Sequence, residues 1–457
     1  MQHRTRPTLA ITGFIAALTI GAPAVAAPAR SAKPTWKAAA TTLYVKAGQV
    51  ALAQEADYQR RGIPVTFDWG GGLRSVIEAL AKLGQREATR TLLEQIEREH
   101  RRPTSWLAKA YGAIGDREQV DRLATSIDLT APANGNNAEE RCNLAGAYEL
   151  LGDTARADTV RATMEPGSCD ISLALAASAK GNHDRADALA LSATGGKATQ
   201  MDSGTRVALA AARARDRAPG AADALARAVA GIDRRDFSRL PLLSDVAIAY
   251  VALGDVAAAR AVVATADELA QAPMDDLERL LVRDQVIEAA ARAGDQVRVR
   301  AMAERWYGEV DPDADADEMV EAAWVWALAG DTPRARALIA VALRTDRPAK
   351  QDALEALARQ QALEAARQKG VLGPSEVADA PAMEPPASGF TLVRAYLALG
   401  DVPAAVRAAV TAPGNSWQSL LQVADYVVDH QVPRSTAIER ALKAEPASRA
   451  PKTRAKN

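Results

Sequence analysis

Apolar residues recur along this chain in steps of three and four, and most runs close on a Gly-Asp pair. The clearest copy spans Tyr148 to Ala157: an apolar run leads to Tyr148, Gly152-Asp153 follows, and Ala157 ends the unit. Similar stretches run from Tyr111 to Val120, Tyr250 to Ala259, Trp326 to Ala335 and Tyr396 to Ala405. In Leu144-Ala145-Tyr148, Leu107-Ala108-Tyr111, Val246-Ala247-Tyr250 and Leu392-Val393-Tyr396, the spacing places three side chains on one helical face. Gly supplies a left-handed cap to that helix, and the Asp beside it caps the next. Ala157, Ala259, Ala335 and Ala405 then fall where the second helix meets the first. The unit is a helical hairpin, which cannot bury both its faces alone and needs stacked neighbours to complete a core.

Counting turns extends the pattern. Glycine takes the hairpin position at Gly84, Gly115, Gly152, Gly181, Gly254, Gly294, Gly330 and Gly400, at intervals of 29 to 40 residues with two longer gaps of 73 and 70. A degenerate unit fits each gap: Val207 to Val229 around Asp216, and Leu354 to Gly370. The expected fold class is all-α, a right-handed α-solenoid of about ten antiparallel helical hairpins, with a period in the range that marks helical repeats. Its expected span is 36–443, with a long, four-proline loop at 371–389. Trp36 to Arg61 reads as an amphipathic helix that caps the array, ended by Gly62 and Pro64. In Phe67-Asp68-Trp69-Gly70-Gly71-Gly72, the glycines read as a flexible connector, since the rest of a phosphate loop is missing.

At these residues the chain resembles the tetratricopeptide repeats. That family has Leu and a small residue four and three before a Tyr, Gly four after it, Ala five further on, and often Pro near the repeat end, where Pro166, Pro273, Pro348 and Pro413 stand here. Arg141, Leu243, Gly389 and Thr104 replace the family's earlier Trp. The resemblance implies a binding role, with a peptide or protein segment held in the groove lined by the first helices. Two residues before each Tyr position lie Glu78, Lys109, Gly146, Leu175, Ile248, Glu288, Trp324 and Arg394. Lys109, Trp324 and Arg394 are the candidate partner-binding residues, because Trp and Arg most often dominate interfaces. The alternative for Trp324 and Trp326 is packing between helices.

Composition fits the pattern: 48% of 457 residues are hydrophobic and only 4% aromatic, and the alanine-rich excess favours close-packed helices. Residues 1–26 read as a cleaved signal peptide. His3, Arg4 and Arg6 make the basic start, Leu9 to Ile20 the short apolar core, and Ala24-Val25-Ala26 the cleavage site. That core is well short of the roughly 20 residues a membrane-spanning helix needs. Residues 27–35 read as a flexible Pro/Ala/Lys linker and 444–457 as a disordered basic tail. The mature chain is then periplasmic or secreted, without stable membrane insertion. Losing Arg4 and Arg6 leaves 54 basic against 57 acidic residues, a near-neutral balance that argues against nucleic acid as partner.

Candidate chemistry is sparse. Cys142 and Cys169 lie at similar heights on the first helices of neighbouring repeats, and in an oxidising compartment they form either a disulfide or two buried thiols. No metal or cofactor site is expected: two cysteines with the scattered His100, His183 and His430 do not make a zinc site. Asp311-Pro312-Asp313-Ala314-Asp315 opens like a calcium loop, but Ala316 and Ala322 stand where an EF-hand has Gly and Glu. The run reads as an acidic connector whose Asp317 and Glu318 favour the N-terminus of the helix carrying Trp324. There is no nucleophile elbow, metal helix or complete phosphate loop, since Gly195-Gly196-Lys197-Ala198 fails at both ends. His183-Asp184 falls on a hairpin turn, where capping accounts for it. Paired carboxylates read as solvated helix faces. No catalytic residue is assigned. The expectation is a non-enzymatic scaffold; the alternative is a cell-envelope enzyme on a helical frame, such as a lytic-transglycosylase-like or other glycan-acting protein.

Overall fold

A computed structural model of the chain describes residues 35–60, 71–99, 103–132, 135–197, 200–232, 239–271, 276–308, 316–343, 389–411 and 416–443. The leader, the linker before Thr35, Phe67 to Gly70, Asp311 to Asp315, the degenerate unit Leu354 to Gly370, the loop 371–389 up to its last residue and the basic tail lie outside them. Among the described residues all regular structure is helical, and no helix is long and apolar enough to cross a membrane.

The first helix, α1 (Thr35–Arg60), is the longest. The others follow two by two: α2 (Gly71–Lys82) and α3 (Arg86–Arg98), α4 (Thr104–Ala113) and α5 (Arg117–Ala124), α6 (Gly135–Leu151) and α7 (Thr154–Arg161), α8 (Asp170–Ala179) and α9 (His183–Ala193), α10 (Ser203–Arg215) and α11 (Ala221–Ala230). Then come α12 (Arg239–Leu253) and α13 (Val256–Ala270), α14 (Asp276–Arg292) and α15 (Gln296–Tyr307), α16 (Ala316–Leu328) and α17 (332–343), α18 (Gly389–Ala398) and α19 (Val402–Thr411), and α20 (Ser416–Asp429) and α21 (Thr436–Leu442).

The repeated residues do the work their positions suggest. All eight turn glycines have positive φ, from 64° at Gly294 to 92° at Gly254, a conformation in which a side chain would be strained. Asp116, Asp153, Asp255, Asp295, Asp331 and Asp401 each accept from the backbone N–H three residues on. Asn182 makes no such bond. The turn around Asp216 places a non-glycine residue, Arg217, at φ 52° and uses Gly220 at φ 73° to begin α11. Ala157, Ala259, Ala335 and Ala405 are fully buried. Small residues also seat neighbouring pairs: a Cβ on Gly112 of α4 would lie 2.7 Å from the Ala147 carbonyl oxygen of α6.

The two ends of the described helical array are joined. The first members of each pair pack side by side from α2 through every even-numbered helix to α20, and α1 packs against both α2 and α20. The expected end cap is therefore a seam that returns the array on itself. One apolar cluster runs through α1 to α9 and takes in Val393, Val406, Leu420, Val427 and Ile438, so both ends share a core. A second runs from Val207 to Ala342. At the seam Tyr44 donates to Asp425 at 2.5 Å across 381 residues of sequence. A Cβ on Gly72 would come within 2.6 Å of the Trp417 ring. Burial followed by Tyr44's hydrogen bond and the charges of Asp425 and Asp429 pushes the Tyr44 phenol well above its ordinary range, so it remains a donor.

Leu420 of α20 is fully buried in this seam. Leu420→Ala should destabilise the fold by about 2–5 kcal/mol and, in hydrogen-exchange mass spectrometry, speed exchange in α1 as well as α20. Exchange confined to α20 and α21 would show that the ends are not mechanically joined.

Candidate functional site

Side chains that touch across an intervening helix pair lie where the first helices of the pairs converge. Lys109 of α4 does this: its Nζ donates to Ser172 Oγ of α8 at 3.2 Å, passing over Gly146 of α6, whose missing Cβ would lie 3.3 Å from the Lys109 Cε. Burial, and secondarily the charge of Arg74, lowers the Lys109 ammonium below its ordinary value, while Glu78 opposes the shift. Three of the positions picked out by spacing, Glu78, Lys109 and Gly146, are thus brought together on α2, α4 and α6.

A second group gathers on α14, α16 and α18. Arg394 lies over the Trp324 ring, its guanidinium carbon 3.6 Å from the ring centroid, and pairs with Asp284 of α14 at 2.5 Å. Glu288, one turn beyond Asp284, pairs with Arg292 at 2.8 Å and lies 4.0 Å from Arg394. Trp324 is 4% exposed, so its ring packs between helices and supports Arg394. Trp326 is likewise buried, donating from Nε1 to the Tyr307 carbonyl oxygen at 3.1 Å with Arg334 over its ring. Leu175 stands exposed, and Ile248 lines a cavity beside Glu288.

The chemistry of this second group was missed by sequence reasoning. Tyr307 donates to Glu321 Oε1 at 2.8 Å. Burial, then the charge of Asp284, pushes the Glu321 carboxyl up to about 7, and a hydrogen bond with Asp284 acts in the same direction. Two carboxyl groups therefore share a pocket of low polarity in which one favours keeping its proton. Asp284 and Glu288 are four apart on α14, and Glu321 is three before Trp324, so each reads singly as a solvated helix face. Their convergence depends on how three helices pack.

Two cavities open among the first helices of the pairs. One, of about 490 Å3, lies at the seam between α1, α2 and α20, and Tyr44, Ser75, Glu78, Lys82 and Asp425 are among its lining residues. The other, of about 290 Å3, lies between α12 and α14 and is lined by Pro241, Ser244, Asp245, Ile248, Gln285 and Glu288.

Two remaining sequence candidates lie elsewhere. Cys142 and Cys169 are joined as a disulfide, their Cα atoms 5.5 Å apart. His183 is the first residue of α9, buried to 8% exposure, with Ser178 Oγ 3.5 Å from Nδ1 and Asp216 3.0 Å from Nε2. It bridges to the next repeat and does not serve as a turn cap. Arg141 is buried and donates to the carbonyl oxygens of Thr163, Asp128 and Ala131, holding the connector after α5. Comparison with known proteins adds no identity: no family model matches the chain, and no curated protein matches it.

The Glu321 shift carries a pH signature. In the unfolded chain its carboxyl ionises near the ordinary glutamate value, about 4.3, while in the fold it holds its proton up to about 7. Between those values the folded state binds more protons, so this group's contribution to stability falls as pH rises. Glu321→Gln should remove that component, raising Tm at pH 8 more than at pH 5 in paired thermal melts. An equal change at both pH values would refute the shifted titration.

Proposed function

We propose that the chain is an exported, non-enzymatic scaffold, a right-handed tetratricopeptide-like array of about ten hairpins that holds a peptide or protein partner on the concave face of its first helices. The observation that carries this reading is the convergence on that face of polar side chains from alternate repeats, Lys109 with Ser172 and Arg394 with Asp284, beside two open recesses. Lys109 and Arg394 present the recognition groups, with Trp324 as the platform that orients Arg394. The leader-like residues 1–26 support export to the periplasm or beyond, and the Cys142–Cys169 bond suits an oxidising compartment.

Affinity capture from envelope extract with the mature protein should recover a dominant partner. Lys109→Ala combined with Arg394→Gln should weaken that interaction by about tenfold or more, as expected when charge-assisted hydrogen bonds are lost, with thermal melts confirming that the variant folds. Full retention of the partner would refute the face assignment.

One observation favours a second reading, a glycan-acting envelope enzyme. Glu321, kept protonated to about 7, beside the Asp284 carboxyl group is the kind of close carboxyl pair that glycosidic bond cleavage uses. A peptidoglycan-cleavage assay decides between them. The scaffold reading expects no turnover, and turnover abolished by Glu321→Gln would replace it.

A further inference from the structure

The cavity between α12 and α14 has a lining of one chemical kind. Asp245 and Glu288 bring carboxylates, Gln285 an amide and Ser244 a hydroxyl, while Pro241 and Ile248 supply the apolar wall. No cation lines it. Ser244 is 3% exposed, and its Oγ finds no hydrogen-bond partner among the described residues. Leaving a buried hydroxyl unpaired is costly, and this oxygen is sealed behind the cavity wall. Asp245 has no ion-pair partner among the described residues, and the protein surrounding it in the concavity raises its carboxyl above the ordinary value. Glu288 differs, because Arg292 and Arg394 already approach it.

We infer that this cavity receives the cationic side chain, lysine or arginine, of a peptide segment lying along the concave face. Ionised carboxylates only accept hydrogen bonds, so the complement must be rich in donors; an ammonium offers three and a guanidinium five. The apolar wall suits the aliphatic stem that carries such a group. A volume of about 290 Å3 is enough for one long side chain and lies at the lower edge of the range for small-molecule sites, roughly 300–1,000 Å3. Carboxylate lining excludes an anionic occupant, and among the described residues no three acidic, His or Cys groups converge to hold a metal ion. The inference rests on the scaffold reading and names the chemistry of its partner.

The test uses fluorescence anisotropy of the mature protein with labelled peptides of alternating Lys-Ala, Arg-Ala and Glu-Ala sequence, with putrescine as competitor. The basic peptides should bind and the acidic one should not. Asp245→Asn should weaken basic-peptide binding by about tenfold, the usual scale for a charge-assisted hydrogen bond, and Gln285→Arg, which brings its own cation into the cavity, should do the same. Asp184→Asn makes the same charge change as Asp245→Asn on a fully exposed carboxylate and should leave binding unaltered. Because Asp245 and Gln285 are exposed, these variants should keep the parent's melting temperature. Equal effects from Asp245→Asn and Asp184→Asn, or no basic-peptide binding, would overturn the inference. Putrescine binding as tightly as the peptides would assign the cavity to free amines and overturn the peptide as occupant. A captured envelope partner indifferent to Gln285→Arg would sink this inference and leave the scaffold reading standing. Conversely, basic-peptide binding lost on Asp245→Asn, with no partner captured from envelope extract, would keep the cavity assignment and sink the scaffold reading.

Discussion

The packing of α1 between α2 and α20 is the constraint on which the rest of the molecule depends. Helix pairs that contact only their neighbours have stability that is nearly a sum of local terms, and their end faces must be made polar or capped. Here both end faces are apolar and cover each other: Leu43, Ala47, Leu420, Val423 and Val427 are buried in one core. Closure turns a linear set of contacts into a circuit, so curvature is not left to each pair to choose. The concave face is consequently tight enough for Lys109 to reach Ser172 and for Arg394 to reach Asp284.

That tightness governs the electrostatics. Where the first helices converge, surrounding protein displaces water and shifts groups in the direction of their neutral forms: Lys109 down, Asp245, Glu321 and Asp425 up. On the outer side the ion pairs are more exposed, such as Arg117 with Asp153 and Arg156 with Asp121, and their worth is correspondingly small. On the inside, a hydrogen bond or charge partner is strengthened by its surroundings.

The local grammar was legible in the sequence because it is short-range. Gly152-Asp153 specifies its turn through one positive φ and one side-chain cap, and neither depends on distant residues. The seam was not legible: the pattern of α1 is the same whether the helix covers an end or joins two, and Tyr44 and Asp425 carry no signal of each other. The turn at Arg217 was placed only by counting the gap. Trp324 and Arg394 were found by spacing, but their stacking on one another, and Asp284 and Glu321 beside them, come from three helices whose sequences are separately unremarkable. Ser244 illustrates the same limit, since an unpaired hydroxyl is a property of packing.

The central claim, that the two ends of the array are joined in solution, is tested most directly by a pulsed electron-spin distance between labels on Gln49 of α1 and Asp429 of α20, both exposed positions. The account predicts one short, narrow distance distribution that persists until global unfolding. A long or broad distribution in the folded protein would mean an open array and would contradict it.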